Sequence, residues 1–174
     1  MVDEAWPLIG NEIKDTLRQS FESAKTRMEL PNRYIAIHVR RGDYPVSINP
    51  SHAIGQLDDE FFIQIASETK LPIVILTENS QEVKNLSKTL NAKIVISKKE
   101  AGPLTTLSIL KNSELLVGSN SSLSWWGAYL ASKSGKRSNL PASWSQWGNY
   151  ESPGLKIPLI ELTPSIWKLG GKKE

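Results

Sequence analysis

A chain of 174 residues with 39% hydrophobic and 22% charged side chains falls within single-domain size and is long enough to bury a core of its own. The absence of cysteine excludes disulfides and thiolate metal sites, and two histidines, His38 and His52, are too few for a histidine-rich zinc centre. A net charge of +3 and a pI near 9.1 fall short of the dense cationic clustering of a nucleic-acid binder, so no nucleic-acid partner is expected; a small anionic ligand suits this balance equally well.

No apolar run approaches the roughly 20 residues needed to span a membrane. The opening "MVDEAWPLIGNEIKD" is acidic and lacks the basic flank and long apolar stretch of a signal peptide, so the chain is read as cytoplasmic. In that setting the N-x-S triplets at Asn85 and Asn120 carry little weight.

In chain order, Ile13, Leu17, Phe21, Ala24 and Met28 recur at spacings of three and four and predict an amphipathic helix over 11–28, stopped by "LPN". "YIAIHV" predicts a short strand buried on both faces. "LDDEFFIQIASETK" predicts a helix with Leu57, Phe61, Phe62, Ile65 and Ala66 inward and acidic residues at its positive start. "LPIVILT" is a second strand. The next helix is capped by Asn79 or Ser80, with Glu82 where a capping-box partner belongs. "AKIVIS" is a third strand, "PLTTLSILKN" a helix with proline in its first turn, and "ELLVGSN" a fourth strand. "SSLSWWGAYLASK" predicts a helix apolar on two sides and well buried, with its tryptophan pair read as core. "KRSNL" is a weak fifth strand at best, and 141–167, with its prolines and tryptophans, reads as irregular packing segments. Strands alternating with helices at short spacing predict βαβ units, a parallel sheet and a three-layer, Rossmann-like α/β fold.

Ligands of open parallel sheets bind outside the carboxyl ends of the strands. Three unusual segments fall there: "RRGDY" after the first strand, "TEN" after the second and "GSNSS" after the fourth. A single site could gather Arg40, Arg41, Asp43, Thr77, Glu78, Asn79, Asn120, Ser121 and Ser122. A guanidinium offers a planar, permanently charged fork for phosphate oxygens, and a polar helix start offers N–H groups and a favourable dipole. Together they make a diphosphate cradle in a chain with neither a GxGxxG nor a GxxxxGK[ST] motif. Plainer readings stand beside this one. Of two adjacent arginines one usually points away, Asp43 suits an ion-pair anchor, His38 suits a satisfied core histidine, and His52 an exposed loop.

The segments "HVRRGDY" at 38–44, "VILTEN" at 74–79, "SNSSLSWWGAYL" at 119–130 and "LPASW" at 140–144 resemble, in order and separation, the nucleotide-binding half of the α-1,2-fucosyltransferases of glycosyltransferase family 11. A more distant likeness extends to α-1,6- and protein O-fucosyltransferases. The resemblance covers about residues 10 to 150. It implies the donor half of a GT-B fold and inverting transfer of fucose from GDP-fucose to a galactosyl hydroxyl of a glycan, with no metal and no cofactor. Arg40 would hold the β-phosphate as the catalytic arginine, supported by Arg41 and Asp43, with Asp43 also a weak candidate for the base. His38 would lie near the nucleotide, Ser121 and Ser122 would contact the phosphates, and Asn79 and Asn120 would complete the donor site. Thr106 stands where relatives carry the acidic residue that reads guanine, which puts guanine selectivity in question. Relatives also carry a whole α/β domain before the arginine motif. Residues 1–30 are accordingly expected to be a helical remnant linking to an absent first domain, and 31–174 the nucleotide-sugar-binding domain. A partner chain or homo-oligomer could supply the rest, and a donor-binding module without transfer of its own is the alternative.

Overall fold

The structure, a computed structural model, describes residues 11–44, 55–145 and 157–168. The first helix, α1 (Asn11–Arg27), turns Leu17 and Ala24 inward, while Ile13, expected on the same apolar face, is half exposed. Strand β1 (Ile35–Val39) is buried at every position, as expected of a central strand covered on both faces. Helix α2 (Asp59–Ala66) starts on Asp58, whose carboxylate accepts from the Glu60 N–H at 3.0 Å. Strand β2 (Ile73–Thr77) leads through Asn79, which caps a 3-10 turn (Ser80–Val83) by accepting from the Gln81 N–H, into α3 (Lys84–Thr89). Glu82 reaches Gly42 N–H at 3.3 Å across to the end of β1 instead of serving as a local capping partner. Strand β3 (Ile94–Ser97), helix α4 (Pro103–Asn112), β4 (Leu115–Gly118) and α5 (Ser122–Ser132) follow.

Two corrections fall at the C-terminal end. The stretch read as a weak strand is a well-paired one, β5 (Arg137–Pro141), and the stretch read as irregular contains another, β6 (Ile160–Thr163). Both lack the apolar run that marks a central strand. Their ladder bonds come from neighbours: β5 lies on β4, and β6 lies on β5. Local sequence does not register that kind of support.

Among the described residues the sheet has six strands, all parallel, in the order β3-β2-β1-β4-β5-β6. Helices α1, α4 and α5 cover one face over Ala36, Val74, Leu76 and Leu116. Helices α2 and α3 cover the other over Ile35, Ile37, Ile75 and Val117. This is the three-layer, doubly wound arrangement the alternation predicts. Strand order reverses between β1 and β4, which opens a crevice at their carboxyl ends. Among the described residues no helix is long and apolar enough to cross a membrane.

Helix α5 corrects a further expectation. Trp125 is core, stacked on Tyr129 with ring centroids 5.6 Å apart, but Trp126 is 42% exposed. Adjacent helical residues point about 100° apart, so one tryptophan of the pair meets the sheet and the other does not.

Candidate functional site

The carboxyl ends of β1 and β4 are locked together by one hydroxyl. Ser119 accepts from the Arg40 N–H at 2.9 Å and donates to the His38 carbonyl at 2.8 Å, while its own N–H bonds the same carbonyl at 3.0 Å. The backbone is therefore fixed just where Arg40 leaves the sheet. Its guanidinium is ion-paired to Glu78 on one nitrogen and to Asp43 on the other at 2.8 Å, and its carbon lies 5.4 Å from the centre of the Tyr44 ring. The Tyr44 hydroxyl donates to the Asn120 carbonyl at 3.2 Å, so the ring that backs Arg40 is itself tied to the β4 loop. Burial raises the Tyr44 hydroxyl above its ordinary value, with Arg40 opposing, which keeps it a neutral donor.

Opposite Arg40, Gly118 ends β4 and α5 begins. A Cβ on Gly118 would come within 2.6 Å of a Leu140 methyl and 2.8 Å of Ser124 Cβ. Only glycine lets the helix start settle this close on the strand. Ser121 caps α5 by accepting from the Ser124 N–H at 3.2 Å and passes its own proton to Ser124 Oγ at 3.3 Å. Ser124 Oγ lies 2.7 Å from His38 Nδ1. Taken as a chain in which each hydroxyl donates onward, the imidazole accepts at Nδ1 and keeps its proton on Nε2. Burial, and then the nearby Arg40 charge, push His38 down to about 4, so the ring is neutral at physiological pH.

A cleft of about 330 Å³ opens between these two edges, and His38, Arg40, Thr77, Glu78, Thr106 and Ser122 all line it. Thr106 donates to the Ala101 carbonyl at 3.4 Å and sets a hydroxyl at the far wall. A wider hollow of about 550 Å³ lies between α2 and the β5–β6 edge. We place the site in the smaller cleft, because it combines the switch point with a guanidinium and a helix start.

The remaining expected site residues lie around this cleft in supporting positions. Arg41 turns away from it and is buried at 3% exposure, ion-paired to Asp59 of α2 and donating to the Glu82 carbonyl. Asn79 is engaged as the cap of the 3-10 turn. Asn120 is buried and donates to the carbonyls of Gly55 and Trp144, so its N-x-S triplet is out of reach in the folded chain. Asp43 is exposed on the outer side of Arg40. His52 lies outside the described residues. The sequence reading missed Lys98, Ala101, Pro103 and Leu123, which also line the cleft. One signal was available: Lys98 directly follows β3, at the same edge of the sheet as the segments already singled out.

Fold and cleft together define a doubly wound α/β domain with a charged cleft at its topological switch point. Residues 9–145 match the model of Glycosyl transferase family 11, and the chain belongs to that family. It is 26% identical over 133 residues to Galactoside alpha-(1,2)-fucosyltransferase 1 from Sus scrofa, covering 68% of this chain and 36% of that protein. The chain thus spans about a third of the length of this relative. Among solved structures it is similar to POFUT1 in complex with GDP, at 12% identity over 72% of this chain and 46% of that one, with a TM-score of 0.46. It is also similar to the NodZ alpha-1,6-fucosyltransferase co-crystallized with GDP, at 13% identity over 67% and 41% of the two chains, with a TM-score of 0.40.

Proposed function

We propose that this chain is the donor-binding half of a GT-B fucosyltransferase, which transfers fucose with inversion from GDP-fucose to a galactosyl hydroxyl of a glycan. The observation that carries the reading is Arg40. Its main chain is held by Ser119 and its guanidinium faces the start of α5 across a cleft at the switch point, in a member of glycosyl transferase family 11. In this reading the diphosphate lies between the Arg40 fork and the Ser122 end of α5. The guanidinium and the helix dipole stabilise the negative charge that develops as GDP leaves. Ser121 and Asn120 act from behind, as the cap and as the anchor of the loop. Asp43 positions Arg40 through their ion pair rather than taking the acceptor proton. Residues 31–174 form the donor domain, and the acceptor is held by a further domain or partner chain.

Two measurements test this. Calorimetric titration of the chain with GDP should give saturable binding that Arg40→Ala weakens by about 100-fold, the loss of two charge-assisted hydrogen bonds to phosphate. Unchanged affinity in that variant would refute the reading. Release of GDP from GDP-fucose, with a galactose-ended acceptor present, then separates transfer from the second reading, a nucleotide-sugar module that binds but does not transfer.

Thr106 bears on the base. A hydroxyl cannot accept the paired donors of the guanine edge as a carboxylate does. Thr106→Asp should therefore raise the preference for GDP over UDP in the same titration.

A further inference from the structure

We propose that Lys98 is a second cation for the donor's diphosphate, held by Glu78 and exchanging that carboxylate for the phosphates when nucleotide binds. The proposal rests on the donor reading above.

Three observations carry it. First, Lys98 leaves the carboxyl end of β3 and lines the same cleft as Arg40, Thr106 and Ser122. Second, one carboxylate serves two cations. Glu78 Oε1 is paired with Arg40, and Glu78 Oε2 lies 3.3 Å from Lys98 Nζ. An anion carrying two or more charges therefore meets two cations that share a single counter-charge inside the cleft, with Asp43 on the outer side.

Third, the partners differ in freedom. Arg40 is fixed by Ser119, by two carboxylates and by the Tyr44 ring, and its side chain is 26% exposed. Glu78 is backed by the turn at Gly42. That glycine has a positive φ of 35°, and a Cβ there would touch Glu78 Cγ at 3.4 Å. Lys98 is 66% exposed, and its pairing with Glu78 is long and open to water. Such a pair is held weakly, and four methylenes let the ammonium swing without moving the backbone. Lys98 is therefore the charge that changes partners, while Arg40 and Glu78 keep their places.

The test is calorimetric titration of the full chain with GDP, inorganic pyrophosphate and guanosine, in wild type, Lys98→Ala, Lys98→Arg and Arg40→Ala. Lys98→Ala should weaken GDP and pyrophosphate alike by about tenfold, the worth of one charge-assisted hydrogen bond. It should also flatten the dependence of GDP affinity on salt and leave guanosine unaffected. Lys98→Arg should restore most of the loss, which also shows that the position tolerates change. Wild-type affinity for GDP in Lys98→Ala overturns the proposal. So does a loss seen with GDP and absent with pyrophosphate, which would place Lys98 at the base. A wild-type chain that binds no GDP, or an Arg40→Ala chain that binds it normally, instead removes the donor reading and this proposal with it.

Discussion

Arg40 and Arg41 are the same residue type one position apart, and the fold gives them opposite tasks. Arg40 faces the cleft, while Arg41 is buried against Asp59 and the Glu82 carbonyl. Replacing Arg41 by Met should leave Asp59 facing a vacated ion-pair site and cost about 3 kcal/mol, the lower end for breaking a buried pair, since Asp59 stays partly in water. Urea denaturation should show that loss, with nucleotide affinity little changed below the melting range. Ser119 works on Arg40 from behind. Ser119→Ala leaves the Arg40 N–H and the His38 carbonyl without their hydroxyl partner, and should cost about 1–2 kcal/mol. It should also weaken GDP binding, because the fork is then less well aimed. A variant that loses stability but keeps full affinity would show that the serine braces the fold without aiming Arg40.

At the scale of the element, the junction of β4 and α5 decides the shape of the site. The sequence signals of a helix start were plain: small polar residues and then an apolar run. How near that start comes to β1 was not legible, because it depends on Gly118 meeting Leu140 and Ser124 from distant parts of the chain or the next turn. Gly118→Ala should cost about 1–3 kcal/mol through overpacking. By pushing Ser124 away from His38 it should also reduce nucleotide affinity, measured by the same titration. The tryptophan pair gives the same lesson. Helical periodicity put Trp125 and Trp126 on different faces, but only the position of the sheet determines which face is inside.

Over the whole molecule, the buried neutral His38 links the site to acid stability. Above pH 6.5 the ring is uncharged in folded and unfolded chains alike. Between 6.5 and about 4 the unfolded chain takes a proton that the folded chain refuses, so stability falls as pH falls. From pH 7 to pH 5 this amounts to about 2 kcal/mol. The wild type should lose that much more than His38→Gln, measured as the difference between their urea midpoints at the two pH values. The alternation of apolar β-branched runs with amphipathic stretches fixed a parallel α/β sheet from the sequence alone, since each central strand had to be buried on both faces and each helix on one. The same rule put Arg40, Glu78 and the serines at one edge, because strand ends are local properties. The pairing of Lys98 with Glu78, the pairing of β5 and β6, and the divergence of Arg40 and Arg41 were decided only in three dimensions. Each depends on a partner far away in the chain: Glu78 for Lys98, β4 for β5, and Asp59 for Arg41. No local pattern encodes the distance to such a partner, and packing settles it.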